Sequence, residues 1–82
     1  MYFVYILLCL DETYYTGSTN DVEKRFTDHL TGHGARYTKS HKPDKIVYHE
    51  SLATKSKALK REAEIKKLSR KTKQELIAAG HL

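Results

Sequence analysis

The sequence predicts a small α+β domain in which a three-stranded sheet is flanked by helices, in the order β-β-α-β-α-α. The first observation is a nine-residue apolar run near the N-terminus, YFVYILLCL. A run that is apolar on both strand faces is typical of a central strand covered on both sides. The second is TYYTGS, rich in β-branched and aromatic residues, which follows the short polar break Asp11–Thr13. The two runs together predict a hairpin.

The third observation is a set of helix signals in the rest of the chain. The first helix is predicted to follow a cap at Asn20 or Thr19, with Glu23 at the capping-box position. Its buried face is expected to consist of three residues spaced four apart, Val22, Phe26 and Leu30.

The middle of the chain is predicted to be irregular apart from one strand. Residues 32–44, GHGARYTKSHKPD, are interpreted as a loop, and Lys45–Ser51 as the third strand. Two more helices are expected to follow, with these caps and stop: Ser56 or Thr54 for one, Thr72 and Gly80 for the other.

Length and composition favour one globular domain over residues 1–82. The 82 residues support only a single modest core, and 39% hydrophobic with 30% charged residues is typical of a soluble protein. The single cysteine, Cys9, excludes an intramolecular disulfide framework and is expected to be buried. The apolar run is too short to span a bilayer and lacks the flanks of a signal peptide, so a cytoplasmic location is expected.

Charge is distributed unevenly along the chain. Residues 1–34 carry a net charge of −3 and residues 35–82 a net charge of +8. This asymmetry is consistent with one surface that binds a polyanion, and equally with a solvated lysine-rich helix. The sequence shows no feature that requires an obligate protein partner.

Two predicted helices carry polar side chains at the edge of their apolar faces. Arg25 and His29, four residues apart, lie along one edge of the first helix, where the arginine binds phosphate, snorkels over the core or pairs locally with an acid. In the second helix Glu62 has apolar neighbours, whereas Glu64 points to solvent. A core-facing carboxylate is costly unless it forms a salt bridge, for example to Arg25, or binds a metal such as Mg²⁺.

The hairpin tyrosines raise a question of register. If the hairpin loop holds an odd number of residues, Tyr5 and Tyr15 share one face of the sheet, and an even loop would separate them. Tyr2, Tyr14 and Tyr48 are interpreted as packing residues. His29 and His33 have i, i+4 spacing, but Gly32 lies between them and no third ligand has suitable spacing, so a zinc site is not expected.

These residues together resemble the GIY-YIG nuclease superfamily, specifically its small stand-alone bacterial members. Phe3-Val4-Tyr5 matches the GIY position and Tyr15-Thr16-Gly17 the YIG position. Arg25 matches the helix arginine and Glu62 the metal-binding glutamate, and the similarity covers nearly the whole chain. The sequence departs from the usual pattern at Phe3, at Thr16, and in having no asparagine downstream of the glutamate.

The resemblance implies the GIY-YIG fold, with an antiparallel sheet, and a Mg²⁺- or Mn²⁺-dependent endonuclease that hydrolyses DNA, with a role in repair or recombination. It implies that Tyr5 is the general base, Tyr15 positions phosphate, Arg25 stabilises charge and Glu62 holds the metal. It also implies that His29 shares in proton handling. Residues expected to bind nucleic acid are Arg36, Lys39, Lys42 and Lys66.

Two other functions remain open at this point. A non-catalytic nucleic-acid-binding module would use the basic loop and the C-terminal helices, and a protein-interaction domain would bind an acidic partner through the same surface. Glu62 favours the nuclease, because a carboxylate beside phosphates repels them unless a metal intervenes.

Overall fold

A computed structural model describes residues 1–80 of the chain. It contains three strands, β1 (Tyr2–Cys9), β2 (Tyr14–Thr19) and β3 (Pro43–Leu52). It also contains four helices, α1 (Val22–Leu30), α2 (Arg36–Ser40), α3 (Lys55–Lys66) and α4 (Arg70–Ala79). Residues 1–80 include no helix with the length and hydrophobicity needed to cross a bilayer.

The three strands form one antiparallel sheet in the order β2-β1-β3. The predicted α+β architecture is therefore confirmed, with β1 in the centre as its apolar run indicates. β3 is longer than the predicted Lys45–Ser51 by residues at both ends.

The β1–β2 hairpin closes through a three-residue loop. The Cys9 amide donates to the Thr13 carbonyl at 2.8 Å, which leaves Leu10, Asp11 and Glu12 between them. Glu12 adopts a positive φ of 66°, as the last residue of such a loop commonly does. The loop is odd in length, so the condition for placing both tyrosines on one face is met.

One face of the sheet carries the main apolar core. Its buried members come from β1, β3 and α3, namely Val4, Ile6, Tyr48, Ala58 and Ile65. Tyr2 and Tyr14 pack at its margin, and the Tyr48 hydroxyl donates to Glu50. The interpretation of these three tyrosines as packing residues is confirmed.

The opposite face is covered by α1 and α2, and here the predicted buried stripe is wrong. Leu30 is 53% exposed, whereas His29 is 2% exposed; Val22 and Phe26 are half-buried. The helix is rotated so that the histidine enters the interior, where hydrogen-bond partners described below offset its burial. Cys9 is buried, as expected.

The helix starts differ from prediction at two places. Asp21, not Asn20 or Thr19, caps α1 by accepting from the Lys24 amide, so Glu23 lies one position too early for a capping box. Ser69 caps α4 by accepting from the Thr72 amide, so that helix begins before the predicted cap.

The other two helix signals are confirmed. Thr54, one of two candidates, caps α3, and Gly80 ends α4. The prediction that residues 32–44 form only a loop is wrong, because α2 lies within them. Its N-cap residue, Ala35, makes no side-chain cap hydrogen bond, so the sequence contains no cap signal for this helix.

Candidate active site

The register of the hairpin places two tyrosines side by side. Tyr5 is opposite Gly17 and Leu7 is opposite Tyr15, so all four residues lie on the face covered by α1 and α2. The rings of Tyr5 and Tyr15 have centroids 6.4 Å apart. Tyr5 is 1% exposed and Tyr15 is half-buried.

The ring of Tyr5 lies directly over the backbone of β2. A Cβ atom added to Gly17 would come within 2.5 Å of the Tyr5 hydroxyl oxygen and 3.0 Å of the Tyr15 ring. Glycine therefore lets the phenol cross the strand, and the hydroxyl reaches the edge of the sheet.

His29 approaches the same hydroxyl from α1. Its Nε2 lies 2.8 Å from the Tyr5 Oη, and its ring packs edge-on against Tyr15 with centroids 5.1 Å apart. Burial, and then the positive charge of Arg25, lowers the pKa of His29 to about 4. The imidazole is therefore neutral at neutral pH.

The other ring nitrogen of His29 is also occupied. Its Nδ1 lies 2.7 Å from the Thr38 Oγ1, and the same hydroxyl donates to the Ala35 carbonyl at 3.0 Å. A Cβ on Gly34 would fall 2.2 Å from this Nδ1. The segment between α1 and β3 therefore packs closely around the imidazole.

Arg25 lies one helical turn before His29 and is half-buried. Its nearest acid is Asp28, at a long 4.0 Å, which leaves much of the guanidinium free to bind an anion. Burial and the neighbouring Tyr15 raise the pKa of Tyr5 above its usual value, and Arg25 opposes this by lowering it. The tyrosine hydroxyl is therefore protonated at neutral pH.

Glu62 reaches the site from α3. Its side chain is 17% exposed, against 67% for Glu64, which confirms that it is the inward member of the pair. Its Oε1 accepts from the Ser18 hydroxyl at 2.6 Å, and its Oε2 pairs with the Lys66 Nζ at 2.7 Å. The salt-bridge partner is thus Lys66 and not Arg25.

Side chains on the two faces of the sheet come close to each other at the edge strand β2. Gly17 and Ser18 are consecutive, so they present opposite faces of β2; Tyr5 lies over the first and Glu62 bonds to the second. The charge of Glu62 contributes to raising the pKa of Tyr5. Side chains from opposite sides of the sheet therefore share one electrostatic site at this edge.

The donors at Glu62 fit a hard divalent cation. Within residues 1–80, no three His, Cys, Asp or Glu side chains cluster to form an all-protein metal cage. One carboxylate with a neighbouring hydroxyl is typical of another kind of metal site, in which Mg²⁺ keeps several waters and binds substrate phosphate oxygens. Lys66 would have to leave Oε2 for that oxygen to bind metal.

The residues expected to bind nucleic acid fall into two groups. Arg36 and Lys39 are exposed on α2, and Lys42 is exposed just after it; the Thr38–His29 contact places this segment beside the site. Lys66 pairs with the carboxylate of Glu62 instead of extending freely from the surface.

Three residues of the site were not predicted. Ser18 and Thr38 hold Glu62 and His29, and Tyr37 stacks on Tyr15 with centroids 5.9 Å apart. Only the aromatic character of Tyr37 gives a signal in the sequence. The two hydroxyl residues become visible only when strand register and the position of α2 are known.

Comparison with known proteins supports the resemblance noted in the sequence. Residues 1–75 match the family described as the GIY-YIG catalytic domain. A UPF0213 protein of Staphylococcus saprophyticus is 49% identical over 79 residues, which cover 96% of each chain. A UPF0213 protein of Natronomonas pharaonis is 48% identical, and the match covers 94% of this chain and 91% of that protein.

Two solution NMR structures are similar to the whole fold. The UPF0213 protein of Bacillus halodurans is 40% identical, with a TM-score of 0.61 over 96% of this chain and 85% of that one. A protein of E. faecalis is 38% identical, with a TM-score of 0.63 over 95% of this chain and 83% of that one.

Proposed function

Because the chain belongs to the GIY-YIG catalytic domain family, we propose that it is a Mg²⁺- or Mn²⁺-dependent endonuclease that hydrolyses phosphodiester bonds in DNA. The observation that carries the proposal is the approach of Tyr5, His29, Arg25 and Glu62 to one edge of the sheet. These side chains supply a proton relay, a cation for phosphate and a carboxylate for metal.

The proton relay begins at Tyr5. A water attacks phosphorus and the bond from phosphorus to the leaving oxygen breaks. The proton of the water passes to the Tyr5 oxygen, and the phenolic proton passes to Nε2 of His29, 2.8 Å away. The raised pKa of Tyr5 makes a free phenolate costly. A neutral histidine that takes the proton in the same step removes that cost.

Arg25 and Tyr15 bind the phosphate in this mechanism. The guanidinium has donors beyond its long contact with Asp28, and it stabilises negative charge that grows on the phosphate oxygens. The Tyr15 hydroxyl, on the same face as Tyr5, helps to position the phosphate.

Glu62 would hold the divalent ion at the edge of β2, with Ser18 orienting the carboxylate. A bound Mg²⁺ would supply charge stabilisation to the leaving oxygen. Basic side chains of α2, including Arg36 and Lys39, are exposed and would contact the flanking backbone of DNA.

The test compares two glutamates of one helix. Purified wild-type protein is incubated with Mg²⁺ or Mn²⁺ and with nicked, branched and single-stranded DNA. Glu62→Gln is expected to lower cleavage by about a hundredfold or more, whereas Glu64→Gln, on the exposed side of α3, retains the wild-type rate. Absence of cleavage on every substrate, or equal activity of E62Q and wild type, refutes the proposal.

A second candidate is a nucleic-acid-binding module without catalysis. It is favoured by the exposed basic side chains of α3, of its C-cap residue and of α4, which include Lys55, Lys57, Lys60, Lys67 and Lys71. Such a module would bind DNA with an affinity that falls steeply with salt and does not depend on divalent ions. Salt-sensitive binding by a protein that never cleaves would select this function.

A further inference from the structure

A chain of three hydrogen bonds runs from the catalytic tyrosine into the backbone of α2. It connects the Tyr5 hydroxyl to Nε2 of His29 at 2.8 Å. It continues from Nδ1 of His29 to the Thr38 hydroxyl at 2.7 Å, and from that hydroxyl to the Ala35 carbonyl at 3.0 Å. The direction of each bond can be assigned from the last partner backwards.

The Ala35 carbonyl can only accept, so the Thr38 hydroxyl donates its single proton to it. The Thr38 oxygen is then an acceptor toward His29, and the proton of the neutral imidazole must lie on Nδ1. Nε2 therefore carries no proton and accepts from the Tyr5 hydroxyl. The reverse assignment would leave the Ala35 carbonyl without the Thr38 donor.

We propose that Thr38 is a positioning residue that fixes His29 in the Nδ1–H tautomer, so that Nε2 is the acceptor for the proton of Tyr5. The consequence for catalysis rests on the nuclease function proposed above. The tautomer itself follows from the hydrogen bonds alone.

His29 and Thr38 are both almost completely buried. The two side chains are 2% and 3% exposed, and the contact between Gly34 and the ring leaves no space for a Cβ atom. Loss of the hydroxyl would leave the Nδ1 donor without its side-chain partner at a buried position, where an unpaired donor is costly.

The tautomer decides whether the proton relay can run. With the proton on Nδ1, His29 takes the phenolic proton at Nε2 and becomes an imidazolium that still donates to Thr38. With the proton on Nε2, the imidazole donates to the Tyr5 oxygen and has no lone pair there to accept a proton. A partner that holds the far nitrogen of a histidine acts in the same way in other sites.

In this arrangement α2 positions Thr38 for its hydrogen bond to His29. This five-residue helix has no side-chain cap, yet it holds Thr38 against the interior at a fixed distance from α1. The segment between α1 and β3 is therefore part of the active site as well as a connection.

The test measures the tautomer directly by two-bond ¹H–¹⁵N correlation NMR on histidine-labelled protein at neutral pH. Wild type and Thr38→Ser, which keeps the hydroxyl, are expected to show His29 protonated on Nδ1. Thr38→Val, which has nearly the same shape without the hydroxyl, is expected to shift His29 toward the Nε2–H form. Thr16→Val removes a hydroxyl from another buried threonine and is expected to leave the His29 signals unchanged.

Cleavage assays on the same proteins complete the test. T38V is expected to lower kcat by about ten- to a hundredfold with little change in KM, and T38S to retain most of the wild-type rate. A wild-type His29 protonated on Nε2, or a T38V protein with an unchanged tautomer or full kcat, overturns the proposal. Failure of the nuclease function appears separately, as a wild type that does not cleave while the NMR signals still report the tautomer.

Discussion

The Tyr5 hydroxyl lies so close to the Gly17 backbone that any side chain at position 17 would have to displace the Tyr5 ring. A Cβ there would lie 2.5 Å from the hydroxyl oxygen and 2.7 Å from the adjacent ring carbon. The aromatic ring is rigid and 1% exposed, so it has little space into which to move. The glycine thus determines where the Tyr5 hydroxyl lies.

We therefore expect Gly17→Ala to displace the Tyr5 ring and to break its hydrogen bond with His29. The overpacking should lower the free energy of unfolding by about 1–3 kcal/mol and should abolish most cleavage activity. Urea denaturation and a DNA cleavage assay measure the two effects.

Gly32→Ala is the matched control for this substitution. Gly32 has a positive φ of 82° and no other atom within 4 Å of an added Cβ, so alanine there costs about 1–2 kcal/mol through backbone strain alone. Activity should survive in G32A. Equal activity of G17A and G32A would show that Gly17 does not set the position of Tyr5.

Stability should depend on pH through His29. Its pKa is lowered from 6.5 to about 4 in the folded protein, so between these values the unfolded chain binds more protons than the folded one. Stability contributed by the neutral imidazole is present above pH 6.5 and is lost as the pH falls toward 4. Urea midpoints measured from pH 7.5 to pH 4 should therefore decrease.

The effect can be assigned by comparing two histidine variants. His29→Asn should flatten the decrease, since the buried titrating group is gone, whereas His33→Asn changes an exposed residue and should leave it in place. The lowered pKa of Asp11, about 2, acts in a more acidic range. A decrease that is the same in H29N and wild type would contradict the assignment.

The sequence predicts the sheet well because strand faces and hairpin length carry their own signals. An apolar β1 had to be central, and the odd loop places Tyr5 and Tyr15 together. The sequence predicts the rotation of α1 poorly. Apolar spacing places Leu30 in the interior, but His29 is buried instead because it has hydrogen-bond partners there. Those partners come from β1 and from α2, far apart in the chain.

For Glu62, the sequence predicts the orientation of the side chain but not its hydrogen-bond partner. Its neighbours in α3 suffice to predict an inward carboxylate, because helix periodicity is local. Its partner Ser18 is 44 residues away, and only the packing of α3 on β2 brings the two together.

Thr16, in β2, allows the cost of an unsatisfied buried hydroxyl to be measured. It is 3% exposed, and its hydroxyl has no hydrogen-bond partner among residues 1–80. Replacing an unsatisfied buried hydroxyl by a methyl of similar shape removes a desolvation cost. Thr16→Val should raise the free energy of unfolding by about 1 kcal/mol.

Thr38→Val is the contrasting change, because the Thr38 hydroxyl bonds to both His29 and Ala35. The same chemical substitution should there lower stability by about 1–3 kcal/mol. Urea midpoints of T16V and T38V measure the two changes in stability. If T16V were destabilised as much as T38V, the Thr16 hydroxyl would have a hydrogen-bond partner in solution.

Lys66 and a divalent ion are expected to compete for one oxygen of Glu62. The Lys66 ammonium lies 2.7 Å from Oε2, on a side chain that is 53% exposed, and such a pair within a helix is worth only about 0.2–0.5 kcal/mol. Lys66→Gln should therefore tighten Mn²⁺ binding by about twofold. Titration of Mn²⁺ with site-resolved NMR line broadening at Glu62, Tyr5 and Tyr15 measures the affinity.

Lys67→Gln separates direct competition from a general change of charge. It removes the same positive charge from the adjacent residue, which is exposed and caps the C-terminal end of α3. Because Lys67 forms no salt bridge with Glu62 in the described part of the chain, K67Q should change Mn²⁺ affinity less than K66Q does. Equal tightening in both variants would mean that Lys66 acts only through long-range charge, and weaker binding in K66Q would mean that the lysine supports the metal site instead of competing for it.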